Sequence, residues 1–346
     1  MPLSSRLGRW LSGRHGAPRR PPPHRAPATH VVLIDGTMST LAHGQETNIG
    51  LSYRLLRDLP ESAPVTLYYE PGIQWRGWRR GAEVIAGRGL NGQIARAYLF
   101  LARNYRPGDC VMAMGYSRGA LAVQALVGLI ERQGLLRPAQ ITPETLERVQ
   151  KLDRDAPGSP AAHALKAALC HPSVPIGFLG AYDMVRAGAG HVRGFLRGGP
   201  TPGPSTRIAR HALALDETRD AYAPVLWETH PDQVVTGSVE QMWFRGSHGD
   251  VGGQLGAYRR ARPLANIPLV WMLSEAESAG LPLPVHWRHR FVTDAHAPGI
   301  GMNSGLGKLF WLRHRRPVGK DPSEQFHPSV AASARQRSGQ SNTGPG

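Results

Sequence analysis

Short apolar runs alternate along the chain with segments of helical period. Val31-Val32-Leu33-Ile34 ends at Asp35-Gly36-Thr37, and Val65-Thr66-Leu67-Tyr68-Tyr69 ends near Pro71-Gly72. Runs of this length bounded by turn residues predict strands buried on both faces. Between residues 89 and 105, Ile94, Tyr98, Leu99, Leu101 and Ala102 recur at helical spacing, which predicts an amphipathic helix stopped by Pro107-Gly108. Cys110-Val111-Met112-Ala113-Met114 predicts a further strand. Residues 118–133, apolar on almost every side up to Gly134, predict a buried helix. Thr142-Pro143-Glu144 is a cap followed by proline at the first helical position, so a helix should run to about residue 152. Ile176 to Tyr182 predicts a strand, and the Gly-, Pro- and Arg-rich residues 186–207 an irregular surface excursion. An apolar stretch at His211 to Leu215 follows, then a strand at Gln241-Met242-Trp243-Phe244 and a helix from about Asn266 to Ala279, closed by Gly280. Continuous apolar strands separated by helices predict an α/β fold, a mostly parallel sheet with helices on both faces and irregular surface insertions.

The ends of the chain break this pattern. Residues 17–29 carry too much proline for helix or sheet, and residues 1–29 hold Arg6, Arg9, Arg14, Arg19, Arg20 and Arg25 with no acid. No large apolar residue follows Val330. The expected organisation is therefore a basic disordered tail over 1–29, one globular domain over 30–325 and a second disordered tail over 326–346. The formal charge of +16 suits an anionic partner, but six of those charges sit on the first tail. Two cysteines exclude a disulfide framework and any paired-cysteine metal site. No apolar run reaches the roughly 18 residues of a membrane span, and Arg9 interrupts the one N-terminal stretch that could resemble a secretory signal.

The chemistry concentrates at a few turns. Gly115-Tyr116-Ser117-Arg118-Gly119 fits G-x-S-x-G, a weak pattern alone but here set between an apolar strand and a buried helix. In a nucleophile elbow that turn lifts the serine hydroxyl above the sheet and aims the next N–H, that of Arg118, at a substrate oxyanion. The competing reading makes Ser117 only the helix N-cap. A serine nucleophile needs a base and an orienting acid, which follow it in the order acid then His. His248 lies in a Gly-rich loop directly after a strand and is the expected base. Asp183, at the end of the Ile176 to Tyr182 strand, is the expected acid. Asp216 also has the right order, but with Glu217 and Arg219 it reads as a charge cluster on a helix surface, and Asp250 reads as a partner of its own turn. The second oxyanion N–H should come from Gly36 or Thr37, at the turn after the first strand. This constellation needs no cofactor and no metal.

With these residues in place the chain resembles the bacterial α/β-hydrolase family, long filed as a domain of unknown function, that includes the catalytic domain of type VI secretion phospholipase effectors. The resemblance rests on Ile34-Asp35-Gly36-Thr37, Gly115 to Ala120, Phe178 to Val185 and Trp243 to Gly253, and covers roughly residues 30 to 285. It differs in having Met38-Ser39 where an aromatic residue and Asn are usual, Tyr182 in place of Trp, and Gln254 after Gly253. The resemblance implies an α/β-hydrolase-like domain acting as a serine esterase or lipase, with phospholipid as the expected substrate. With no secretory signal and no membrane span in the sequence, the expected location is the bacterial cytoplasm by default, with type VI delivery open. The positive charge favours peripheral contact with anionic membrane, and no nucleic-acid motif accompanies it. The alternative from another class is a non-catalytic basic binding protein on a hydrolase scaffold, docked to anionic membrane or nucleic acid.

Overall fold

The computed structural model describes residues 26–74, 89–185, 201–302 and 312–331. Its centre is a seven-stranded sheet, all neighbours parallel, in the order β2-β1-β3-β4-β5-β6-β7. The strands are β1 (Thr29–Ile34), β2 (Val65–Glu70), β3 (Cys110–Tyr116), β4 (Ile176–Tyr182), β5 (Ala209–Ala214), β6 (Val239–Phe244) and β7 (Glu324–Phe326). Side chains alternate between faces, so each strand feeds two cores. Val32, Ile34, Ala113 and Leu179 belong to one, whereas Val31, Leu33, Met112, Met114 and Phe178 belong to the other. Both faces are covered, which is why the strands read as unbroken apolar runs.

Eight helices are described: α1 (Asn48–Arg57), α2 (Leu90–Asn104), α3 (Arg118–Gln133), α4 (Pro143–Asp155), α5 (Pro160–Leu169), α6 (Pro231–Val235), α7 (His248–Gly252) and α8 (Arg262–Ser278). Helices α2 and α3 close the first core and α1 and α8 the second. The predicted α/β class, strands and helices are observed, with small boundary shifts. Thr142 caps α4 by accepting the Thr145 N–H, and Pro143 takes its first position. Helix α8 starts four residues before its predicted boundary, because Pro263 sits in the first turn, where no N–H partner is lost.

Several elements depart from the sequence reading. The stretch after Ala209 is strand β5, so Asp216, Glu217 and Arg219 do not lie on a helix but in the loop at its carboxyl end. Their charged pattern looks solvated, yet Glu217 is fully buried and Arg219 nearly so. The edge strand β7 and helices α1, α5, α6 and α7 had no predicted counterpart, and His248, expected in a Gly-rich loop, opens the short helix α7. The tail expectations for residues 1–25 and 332–346, and most of the 186–207 excursion, lie outside the described residues.

Candidate active site

Parallel strands deliver their carboxyl ends to one edge of the sheet. Ser117 follows β3, Asp183 follows β4, the 215–222 loop follows β5 and His248 follows β6. Register fixes their spacing: the Ser117 N–H donates to the Tyr182 carbonyl at 2.9 Å, and the Asp183 N–H to that of Ala212 at 2.7 Å.

Ser117 stands at φ 57° and ψ −123°, a backbone conformation rarely held by a non-glycine residue. Its side chain makes no capping hydrogen bond to α3, which removes the N-cap reading. The turn is tolerated because its flanks are glycine. A Cβ on Gly119 would fall 2.2 Å from the Ile34 carbonyl oxygen, and one on Gly115 2.4 Å from that of Gly119. Strand and helix therefore cross at backbone contact, and the serine is pushed out above them.

The hydroxyl meets His248. Ser117 Oγ lies 2.9 Å from His248 Nε2, and His248 Nδ1 lies 2.6 Å from Asp183 Oδ2. A carboxylate has no proton to give, so Nδ1 carries the hydrogen and Nε2 is left to accept one from serine. The imidazole packs against Tyr116 and Tyr222, whose rings are tilted to it by 32° and 40° with centroids 4.9 and 4.6 Å away. All three polar groups are at least 95% buried.

Asp183 is the most constrained of them. Its backbone has φ 43°, and the following N–H, of Met184, donates to His211 Nε2 at 3.1 Å. Its Oδ1 also accepts the Ala214 N–H at 3.0 Å. Arg316, 133 residues away, grips both oxygens, with Nη1 2.5 Å from Oδ1 and Nη2 2.9 Å from Oδ2. Burial raises the pKa of Asp183, but the Arg316 charge and the hydrogen bonds from His248 and Arg316 overcome it and hold the carboxyl well below the usual range. Nothing in the Arg-rich stretch Leu312 to Arg316 distinguishes this arginine from its neighbours by sequence.

Asp216 is elsewhere. It is exposed, and its carboxylate accepts the Gly246 N–H at 2.7 Å. Asp250 serves its own turn, accepting from the Ser247 N–H and hydroxyl and from the Ile300 N–H. The residue from this region that reaches the site is Glu217. Its Oε2 accepts the His248 N–H at 3.1 Å while Arg219 pairs with both carboxylate oxygens. Burial pushes the Glu217 carboxyl up, yet the hydrogen bonds and charge of Arg219 bring it below the ordinary carboxylate value.

The turn after β1 lies beside the elbow, since Ile34 pairs with Gly115. There the Gly36 N–H is engaged by Asp35 Oδ1 at 2.7 Å, whereas the Thr37 N–H meets no acceptor among the described residues. Gln254 anchors this turn, its Nε2 donating to the Thr37 carbonyl at 3.0 Å. Thr47 and Tyr69 also donate to the buried Asp35. Burial outweighs these bonds and pushes the Asp35 pKa up to about 6.

That shift has a definite sign. Between pH 4 and 6 folded Asp35 keeps a proton that the unfolded chain has lost, so its contribution to stability falls as pH rises through this window and is flat above it. Asp35→Asn removes the titration. Urea unfolding should show the wild type losing up to about 3 kcal/mol relative to Asp35→Asn between pH 4 and pH 6.5. A constant difference across that range would contradict the assignment.

The chain is similar to several known proteins. A yeast (Saccharomyces cerevisiae) protein described as uncharacterized protein YEL023C is 27% identical over 251 residues, covering 65% of this chain and 36% of its own. The chain thus spans about a third of the length of that curated relative. An uncharacterized Pseudomonas aeruginosa protein of known structure aligns over 75% of this chain and 47% of its own, with 17% identity and a TM-score of 0.49. The Tle1 effector bound to the VgrG spike of the type VI secretion system aligns over 67% of this chain and 52% of its own, with 16% identity and a TM-score of 0.35. The profile of the type VI secretion phospholipase effector Tle1-like catalytic domain matches residues 29–275, from the first strand through most of α8 and so across the serine, aspartate and histidine described above. The chain belongs to the Tle1-like phospholipase effector catalytic-domain family.

Proposed function

We propose that this chain is a serine carboxylic-ester hydrolase of the phospholipase type, in which Ser117, His248 and Asp183 form the catalytic triad. The observation that carries the reading is the continuous hydrogen-bonded path from Ser117 Oγ through the His248 ring to Asp183 Oδ2. A basic binding scaffold has no need of a strained serine bonded to an oriented imidazole. Family membership supports the phospholipid substrate. The catalytic unit spans residues 30–325, and no helix among the described residues is long and apolar enough to cross a membrane.

In this reading Ser117 Oγ attacks the ester carbonyl carbon while His248 Nε2 takes its proton. Asp183 stabilises the imidazolium that forms. The carbonyl oxygen becomes an oxyanion, received by the N–H of Arg118 in the first turn of α3 and by that of Thr37. Of the two candidates on the β1 turn, Thr37 is the donor because Gly36 is already engaged. The imidazolium then protonates the leaving alkoxide, and a water activated by His248 hydrolyses the acyl-serine.

A fluorophosphonate should form one adduct, on Ser117, and block release of fatty acid from phosphatidylglycerol vesicles. Labelling of another serine in folded protein, with Ser117 unmodified, overturns the reading.

A further inference from the structure

Arg316 lies 41 residues beyond the last residue matched by the family profile, yet its side chain is 4% exposed and faces the site. Its Nη1 donates to Asp183 Oδ1 and the Ala214 carbonyl, and its Nη2 to Asp183 Oδ2 and the Tyr222 carbonyl. The acceptors belong to the frame of His248: Asp183 bonds the ring, Ala214 pairs with Phe244 on the strand that leads to it, and the Tyr222 ring stands 4.6 Å from the imidazole. The same C-terminal segment continues into β7, which pairs with β6, the strand that leads to His248. From these contacts we propose that Arg316 is a positioning residue of the hydrolase, a bidentate clamp that fixes the orienting acid and sets its charge. The proposal rests on the triad reading above.

Two consequences follow from the chemistry of the fork. Both Asp183 oxygens are held in one plane, so Oδ2 presents a single direction to Nδ1–H. The guanidinium also keeps Asp183 ionised and offsets part of its charge, which limits how strongly Asp183 favours the imidazolium. The other charged and titratable groups facing the pair are Glu217, Arg219 and Tyr222 from the loop after β5, Tyr116 at the end of β3, Arg118 on α3 and His211 on β5. Glu217 and Arg219 compensate each other, and burial lowers the His211 pKa to about 4, so it stays neutral. Arg316 is the cation that touches Asp183.

Removing the guanidinium takes away the charge that holds the Asp183 carboxyl low, so the hydrogen-bonded Asp183–His248 couple keeps a proton at higher pH and the acid limb of kcat/KM moves up. On a soluble ester, Arg316→Met should lower kcat about 100-fold, a loss typical of slight misplacement, and move the acid limb up by about one pH unit. Arg316→Lys should keep the limb near its wild-type position while still losing kcat, because an ammonium restores charge and not the fork. Arg315→Met, an exposed neighbour, should match the wild type. Wild-type turnover and fluorophosphonate labelling test the triad separately: if these hold and both Arg316 variants keep wild-type kcat and pH profile, the clamp is refuted and the triad stands. A kcat loss with no limb shift in Arg316→Met marks a structural contact only and equally refutes the proposal. Should Arg316→Met not fold, Arg316→Lys decides, since wild-type kcat in that variant is incompatible with a fork.

Discussion

Ester turnover by Ser117→Ala is expected to fall by about 10⁶-fold, with KM nearly unchanged and the fold intact. The hydroxyl caps no helix and its side-chain partner is His248 Nε2, so its removal costs α3 nothing. Alanine must still hold φ near 57°, a strain serine already bears. What disappears is the atom that attacks and the proton donor to Nε2. His248→Ala should be equally damaging, because serine without its base is no better a nucleophile than a free alcohol. The double variant then separates a unit from two independent contributors: residues acting as a unit lose little more together than either loses alone. A Ser117→Ala/His248→Ala rate well below both singles, measured against a matched blank, would show that the two act independently. The residual rate would report the proposed oxyanion donors, the N–H groups of Arg118 and Thr37.

How much of this site is legible in the sequence depends on the range of the interaction. The elbow is a local device: strand, Gly-x-Ser-x-Gly and buried helix lie within about 25 consecutive residues, so Ser117 and the Arg118 N–H can be read directly. His248 is legible because a Gly-rich loop after an apolar strand marks the active edge of a parallel sheet. Asp183 is legible as the end of a fully apolar run. Glu217 and Arg219 were hidden by their own pairing, since an acid and a base two residues apart look solvated until the loop is seen to fold over β5. Choosing Thr37 over Gly36 required the Asp35 hydrogen bond, a side-chain rotamer that no sequence pattern encodes. Arg316 was illegible for a different reason. Its burial is set by a crossover of 133 residues and by an edge strand of three residues, too short for any period.

The orienting acid admits the second large effect. Sequence order leaves Asp183 and Asp216 equal, but one bonds the imidazole, whereas the other is exposed and bonds the Gly246 N–H. Asp183→Asn should lower kcat by at least about 10⁴, since the amide can turn an N–H toward Nδ1 and stabilise the wrong tautomer, and since the imidazolium loses its counter-charge. The Arg316 clamp adds a further term. In Asp183→Asn the buried guanidinium loses the carboxylate that balanced it, and its uncompensated charge opposes protonation of the ring that Asp183 had bonded. The variant should therefore be less stable as well as slower, and thermal unfolding must accompany the kinetics. Asp216→Asn keeps a side-chain oxygen that can accept the Gly246 N–H, and its cost should stay below about tenfold, under about 1.4 kcal/mol of transition-state stabilisation. Adding Arg316→Met to Asp183→Asn removes the stranded cation, and both stability and rate should recover in part even though each change alone is harmful. Rates that simply multiply in the double variant would show that Arg316 and Asp183 act separately. A larger loss from Asp216→Asn than from Asp183→Asn would move the acid's role to the loop after β5.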